Sequence, residues 1–97
     1  MMLTWVIYDI RNDRVRGKAA RSSLQSGLVR VQKSVFLGTL SESERDELTV
    51  QLEALIDPEV DSVYIFPMCR PDFAKVGLLG QAFERDRVTD ELRSMFL

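Results

Sequence analysis

The sequence contains no histidine, one cysteine and no long hydrophobic run. The absence of histidine excludes the commonest general base and every zinc site that depends on imidazole. Cys69 has no partner for an intrachain disulfide, which is typical of a reduced thiol in the cytoplasm. No apolar run approaches about 18 residues and the N-terminus has no signal-peptide pattern, so we expect a cytoplasmic protein without a membrane partner.

The net charge of −2 conceals a separation of charge along the chain. Residues 11–33 contain seven basic residues and one acidic residue, whereas residues 41–61 contain eight acidic residues and one arginine. This pattern predicts one basic and one acidic surface, and the basic surface favours nucleic-acid binding. The alternative interpretation is a pair of solvated helix faces of opposite sign.

Hydrophobic periodicity and turn residues predict the order strand, helix, strand, strand, helix, strand. Residues 2–10 alternate as a strand, Asp13 is placed to cap a helix that ends near Gln25, and Ser41 with Glu44 matches a capping box. The other predicted elements are strands at 29–31, 34–37 and 62–66 (the last ended by Pro67), a loop at 67–73, a strand at 76–79 and an amphipathic helix at 87–97.

This order is that of the ferredoxin-like βαββαβ fold, an α+β class with a four-stranded antiparallel sheet and two helices on one face. The 97 residues, 45% of them hydrophobic, suffice for one core. We expect residues 1–80 to form the ferredoxin-like domain. Residues 81–97 are expected to be a C-terminal extension of the same single domain. A short extra strand is expected to precede this extension, and an amphipathic helix is expected to lie within it.

The predicted sheet is apolar on both faces, so the face without helices needs a second cover. We expect an identical subunit to pack sheet to sheet around a two-fold axis. The interface of this homodimer is predicted to contain Val6, Tyr64 and Phe66. The alternative is that the C-terminal helix folds back over its own sheet.

Asp9 is the candidate catalytic residue and metal ligand, since its carboxylate follows the first strand and lies between apolar neighbours. A divalent ion held on carboxylates activates water for phosphodiester hydrolysis, and Mg²⁺ needs only one or two of them. In a symmetric dimer, two Asp9 side chains are placed to share Mg²⁺ or another divalent cation such as Mn²⁺. The alternative is an aspartate that caps the following turn.

Basic residues mark the first helix as a candidate phosphate-binding surface. Arg14, Lys18 and Arg21 fall on one stripe, and Arg11 and Arg16 flank the start of the helix. Such cations bind the backbone of nucleic acids without reading its sequence. An RNA-recognition motif has the same fold, but its Gly-aromatic signature is missing from the third strand, so base stacking on the sheet is not expected.

Two segments resemble CRISPR-associated protein 2, the small partner of the CRISPR integrase. They are Val-Ile-Tyr-Asp-Ile at 6–10 and, after the arginine-rich helix, Gly-Leu-Val-Arg-Val-Gln-Lys-Ser-Val-Phe at 27–36. The resemblance covers about residues 3–68. The chain departs from the family at Ser26 and Leu37, where family members often carry a tyrosine and an acidic residue.

The resemblance implies a ferredoxin-like homodimer in which the two Asp9 side chains face each other, and it favours Asp9 as the metal ligand. It also implies roles in nucleic-acid binding or cleavage for further residues, which are Tyr8, Arg14, Arg16, Arg30 and Phe36.

Two functions follow from the resemblance. One is a Mg²⁺-dependent endonuclease, an endoribonuclease-type hydrolase, that acts on single-stranded RNA or on DNA in CRISPR adaptive immunity. The other is a non-catalytic dimeric scaffold that bridges integrase (CRISPR-associated protein 1) dimers and binds spacer DNA. The acidic helix at 41–56 and the C-terminal segment are the expected contacts with the integrase.

Overall fold

The computed structural model describes residues 1–83. Four strands of this part of the chain are β1 (Met2–Asp9), β2 (Val29–Gln32), β3 (Val35–Leu40) and β4 (Ser62–Met68). They form one antiparallel sheet in the order β2-β3-β1-β4. This is the predicted ferredoxin-like α+β arrangement, with the two long helices packed on one face of the sheet. The helices are α1 (Asp13–Gln25), α2 (Glu42–Leu55) and the short α3 (Arg70–Phe73).

Side-chain caps begin both long helices. The capping box predicted for α2 is confirmed: Ser41 Oγ accepts from the Glu44 N–H at 3.1 Å, and Glu44 Oε1 accepts from the Ser41 N–H at 2.9 Å. The cap predicted for α1 is wrong by one residue, because Asn12 Oδ1 accepts from the Val15 N–H at 3.0 Å and Asp13 is already helical. Asn and Asp are equally good caps, so propensity does not choose between neighbours.

The main core lies between the sheet and the two long helices. Val6 is fully buried there at 0% exposure, so its predicted place at a dimer interface is wrong. Alternation along β1 separates the two faces of the sheet, but both sets of side chains are apolar and alternation does not say which set the helices cover. The buried members of this core are Val6, Tyr8, Ile10, Ala19, Ala20, Leu28, Phe36, Leu40, Leu48 and Leu52.

The opposite face of the sheet, called here the open face, carries a second apolar cluster around Trp5. Its indole ring stacks on Phe66, with ring centroids 6.2 Å apart, and also contacts Phe73 at 6.0 Å and Phe83 at 5.8 Å. The chain that follows β4 therefore covers part of this face, although Tyr64 in β4 remains 61% exposed.

The chain after residue 66 differs from the predicted pattern. Pro67 lies within β4 and does not end it, which is tolerated because β4 is an edge strand of the sheet in this chain. The segment expected to be a loop contains the short helix α3, and residues 76–79 do not form the expected strand. The helix predicted at 87–97 lies outside the described residues. Between residues 1 and 83, no helix combines the length and the apolar character needed to span a membrane.

Candidate nucleic-acid interface

Asp9 is the last residue of β1 and its side chain is exposed at one end of the sheet. It is paired across the ladder with Ser62, the first residue of β4. Because side chains alternate along a strand, Asp9 continues the series of Trp5 and Ile7, which face the open side of the sheet. The candidate metal ligand therefore lies on the side of the sheet away from the helices.

Asp61 ties the chain after β1 to the start of β4. Its Oδ1 accepts from the Arg11 N–H at 3.0 Å and its Oδ2 from the Asp57 N–H at 2.9 Å. The hydrogen bonds from the backbone of Asp57 and of Arg11 lower the pKa of the Asp61 carboxyl. Sequence reasoning missed this residue, since a contact across 50 residues leaves no local pattern. Asp61 thus supports the sheet end on which Asp9 lies.

Within the part of the chain that the structure describes, the candidate metal site consists of one carboxylate, that of Asp9. Within residues 1–83, no group of three or more Cys, His, Asp or Glu side chains is placed to hold a metal ion. Asp13 is paired with Arg16, and both oxygens of Asp61 accept backbone N–H groups. The exposed Asp9 carboxylate fits Mg²⁺ only in the mode in which the ion keeps most of its water ligands.

Tyr8 and Phe36 form a stacked pair in the core beneath the helices. Their ring centroids are 5.8 Å apart, and the two residues are 3% and 0% exposed. In this chain neither ring is accessible to nucleic acid, which corrects the role expected from the resemblance. Burial raises the pKa of the Tyr8 hydroxyl, and the positive charges of Arg30 and Arg16 oppose that shift.

Arg30 and Arg16 are half-buried and bind the backbone of their own chain. The Arg30 guanidinium lies 5.3 Å from the Phe36 ring centroid and donates from Nε at 3.2 Å and from Nη2 at 2.9 Å to the Lys33 carbonyl oxygen. Arg16 Nη1 donates to the Ile10 carbonyl oxygen at 2.9 Å, and its Nη2 pairs with Asp13. Both residues therefore have structural partners beside the site.

The basic stripe of α1 consists of Arg14, Lys18 and Arg21, and all three side chains are exposed as predicted. The opposite side of α1 packs on the sheet through Ala19, Ala20 and Ser23. The stripe therefore lies on the helix layer, whereas Asp9 points to the open face. The structure does not bring the two predicted features onto one surface; Arg11, exposed in the loop after β1, is the predicted cation nearest to Asp9 in the chain.

The fold and the sequence both match one protein family. The family model described as CRISPR associated protein Cas2 matches residues 1–76. The chain belongs to the Cas2 family. Residues 1–76 include the whole four-stranded sheet, Asp9 and the basic stripe.

Relatives in the Cas2 family extend over most of this chain. A protein of Archaeoglobus fulgidus is 36% identical over 69 residues, which are 71% of this chain and 73% of the relative. A protein of Synechocystis sp. is 37% identical over 81 residues, which are 84% of this chain and 87% of the relative. Both relatives are named CRISPR-associated endoribonuclease Cas2.

Solved structures of similar proteins have the same fold. Cas2 of Streptococcus pyogenes matches with a TM-score of 0.70 and 25% identity, covering 81% of this chain and 100% of that chain. A hypothetical protein of Thermus thermophilus matches with a TM-score of 0.68 and 35% identity, covering 81% of this chain and 90% of that chain. The predicted family and the predicted α+β fold are confirmed.

Proposed function

We propose that this Cas2-family chain is an endonuclease of CRISPR adaptive immunity, which cleaves single-stranded RNA or DNA with a divalent ion held on Asp9. The observation that carries the proposal is the Asp9 carboxylate, which is exposed at a sheet end and has no hydrogen bond or ion pair among the described residues. The relatives named endoribonuclease support cleavage of RNA as the activity.

A second copy of the chain completes the site in this proposal. Residues 1–83 of each chain supply one suitable carboxylate, that of Asp9, which follows the alternation of the open face. The same face carries the Tyr64 side chain, which is paired in register with Ile7 and is 61% exposed. A partner packed on this face would bring a second Asp9 toward the first, and two carboxylates that meet require a cation or a proton between them.

The chemistry divides between the ion and the chain. Bound Mg²⁺ or Mn²⁺ supplies water activation and offsets negative charge on the phosphate. The chain itself holds the ion through Asp9 and attracts the nucleic-acid backbone through its exposed cations. The buried Tyr8 and Phe36 rings and the Arg30 and Arg16 guanidinium groups maintain the shape of the sheet end rather than touching the substrate.

A non-catalytic scaffold is the second candidate function. Two observations favour it: the described residues contain no multidentate metal cluster, and the basic stripe lies on the helix layer, away from the Asp9 face. In this role the homodimer would follow the backbone of spacer DNA along α1 and bridge subunits of the CRISPR integrase. The acidic surface of α2 would then be available to the integrase.

The deciding experiment compares cleavage of labelled single-stranded RNA and duplex DNA by the wild type and by Asp9→Asn. Reactions contain Mg²⁺, Mn²⁺ or EDTA. Asp46→Asn, which neutralises an exposed aspartate on α2, is the matched control. We expect cleavage that requires both the ion and Asp9 and that survives in the control.

Cleavage that persists in Asp9→Asn, or that is absent from a folded wild type in every ion, would reject the nuclease. The scaffold is then tested by co-purification of the chain with integrase subunits and by binding to duplex DNA. Failure of both scaffold assays would exclude the second function as well.

A further inference from the structure

Lys33 lies next to the Asp9 end of the sheet, in the turn between β2 and β3. The pairing of β1 with β3 runs through Ile7 and Val35, and the Tyr8 N–H donates to the Ser34 carbonyl oxygen at 3.1 Å. One more step along both chains in this antiparallel register leads from Tyr8 to Asp9 and from Ser34 to Lys33. The turn therefore flanks Asp9 on the side opposite to Ser62.

The backbone of this turn is held by buried and half-buried side chains. The Lys33 carbonyl oxygen accepts two hydrogen bonds from the Arg30 guanidinium, which lies over the Phe36 ring. The Lys33 N–H donates to Gln32 Oε1 at 3.2 Å, next to an irregularity in the β2–β3 register. The backbone N–H and C=O groups of Lys33 are thus both hydrogen-bonded, and these bonds hold the residue in place relative to the sheet.

The Lys33 ammonium group has no such partner. Its side chain is exposed and makes no ion pair or hydrogen bond within residues 1–83. Arg16 and Arg30 direct their guanidinium groups to backbone oxygens, and the basic stripe faces away on the helix layer. Among the described residues, Lys33 is therefore a cation without a side-chain partner in the turn that flanks Asp9.

We propose that Lys33 is a further substrate-binding residue of the Asp9 site and contacts a backbone phosphate of a single-stranded segment next to the phosphodiester held at Asp9. The inference rests on the proposed function, because it assigns the substrate contact for that same site. An ammonium group binds phosphate as a mobile point charge, without the planar geometry of arginine. Arg30 is a positioning residue in this arrangement, since it holds the turn that carries Lys33.

The test measures binding separately from cleavage. Affinity for a short labelled single-stranded RNA is measured by fluorescence anisotropy in EDTA, between about 50 and about 200 mM salt. The variants are Lys33→Gln, Lys33→Arg and the control Lys75→Gln, which removes an exposed lysine that follows α3. Lys33→Gln and Lys75→Gln change the net charge equally.

We expect Lys33→Gln to weaken binding several-fold and to reduce the slope of log K against log salt by about 0.7, the value for one lost phosphate contact on a single strand. Lys33→Arg should keep most of the affinity, and Lys75→Gln should match the wild type. Equal affinities for Lys33→Gln and Lys75→Gln would overturn the proposal, as would a wild type that does not bind the RNA.

A cleavage assay on the same proteins distinguishes failure of this inference from failure of the nuclease. Binding that depends on Lys33, without cleavage that depends on Asp9, would reject the nuclease and keep Lys33 as a phosphate contact. Cleavage that depends on Asp9, with binding and KM unaffected in Lys33→Gln, would keep the nuclease and reject the role of Lys33.

Discussion

The Tyr8 hydroxyl is buried and has no hydrogen bond of good geometry among the described residues, although it interacts with the nearby Arg30 guanidinium, which opposes the rise in its pKa that burial causes. Burying such a group costs free energy, and removing it leaves the aromatic stack with Phe36 in place. We expect Tyr8→Phe to leave the free energy of unfolding unchanged or to raise it by about 1 kcal/mol in urea titrations. Tyr8→Ala should lower it by about 3 to 5 kcal/mol through the cavity it creates.

Alkaline pH provides a second observable for the same prediction. Burial raises the pKa of Tyr8 above its ordinary value of 10.0, so the unfolded chain loses this proton first as pH rises. The contribution of the protonated Tyr8 hydroxyl to the free energy of unfolding is fully present below about pH 10 and is lost as pH rises through the folded-state pKa. Unfolding free energies measured from about pH 8, roughly two units below the ordinary tyrosine pKa, to about pH 11, roughly one unit above it, should fall more steeply for the wild type than for Tyr8→Phe. Parallel curves would contradict the prediction.

At the scale of single elements, Gly38 in β3 allows the close approach of the chain at the start of β2. A Cβ atom at this position would lie 2.9 Å from Leu28 Cδ2 and 3.1 Å from Leu28 Cα. Since Leu28 and the strand are both in the core, the backbone must shift. We expect Gly38→Ala to lower the free energy of unfolding by about 1 to 3 kcal/mol.

Gly17 provides the matched control for Gly38. It lies within α1, is exposed, and an added Cβ atom would meet nothing within 4 Å. Gly17→Ala should raise the free energy of unfolding by about 1 kcal/mol through helix propensity. Equal effects of the two substitutions in thermal or urea unfolding would show that steric contact at Gly38 is not the cause.

Elements with local signals were predictable, and elements that depend on distant contacts were not. The capping box of α2 is predicted from Ser41 and Glu44 alone, and the structure confirms it. The apolar residues 76–79 were predicted to be a strand, but Val76 instead packs in the open-face cluster around Trp5. An apolar run predicts that its residues are buried, whereas its secondary structure depends on the surface against which it packs.

The separation of charge is a property of the whole molecule, and the basic stripe should dominate affinity for duplex DNA. Each cation that contacts a phosphate contributes about 0.9 to the slope of log K against log salt. We expect the triple variant Arg14→Gln, Lys18→Gln, Arg21→Gln to bind duplex DNA more weakly and with a smaller slope. A triple variant with the wild-type slope would exclude the stripe as the DNA contact.

The control for the stripe is Arg70→Gln with Lys75→Gln, which neutralises two exposed cations outside α1. This double variant should retain nearly the affinity and the salt slope of the wild type. Both proteins should have unchanged far-ultraviolet circular dichroism, because the substituted side chains are exposed.

Association through the open face is a second prediction at the scale of the whole molecule. Tyr64 is exposed on this face, and a carboxylate there would be buried without a partner in a sheet-to-sheet dimer. We expect Tyr64→Glu to convert a dimer to a monomer in sedimentation experiments. Val50→Glu, on the exposed side of α2, should leave the dimer intact. A wild-type monomer, or a dimer that survives Tyr64→Glu, would contradict this interface.

Sequence patterns were sufficient to predict the order of the elements, the four-stranded ferredoxin-like sheet, the exposure of the basic stripe and the position of Asp9 at a strand end. These properties follow from periodicity and capping, which act between residues close along the chain. Membership of the Cas2 family was also readable from two short segments and their spacing.

Tertiary packing sets which apolar face of the sheet the helices cover, and with it which of the predicted site residues are buried. Val6, Tyr8 and Phe36 are core residues, Arg16 and Arg30 are held by backbone oxygens, and Lys33 is brought beside Asp9. Alternation assigns the side chains of a strand to two faces, but it does not show which face the helices cover when both faces are apolar. The covered face depends on packing and strand register between residues far apart in sequence. Local sequence patterns contain no information about these contacts.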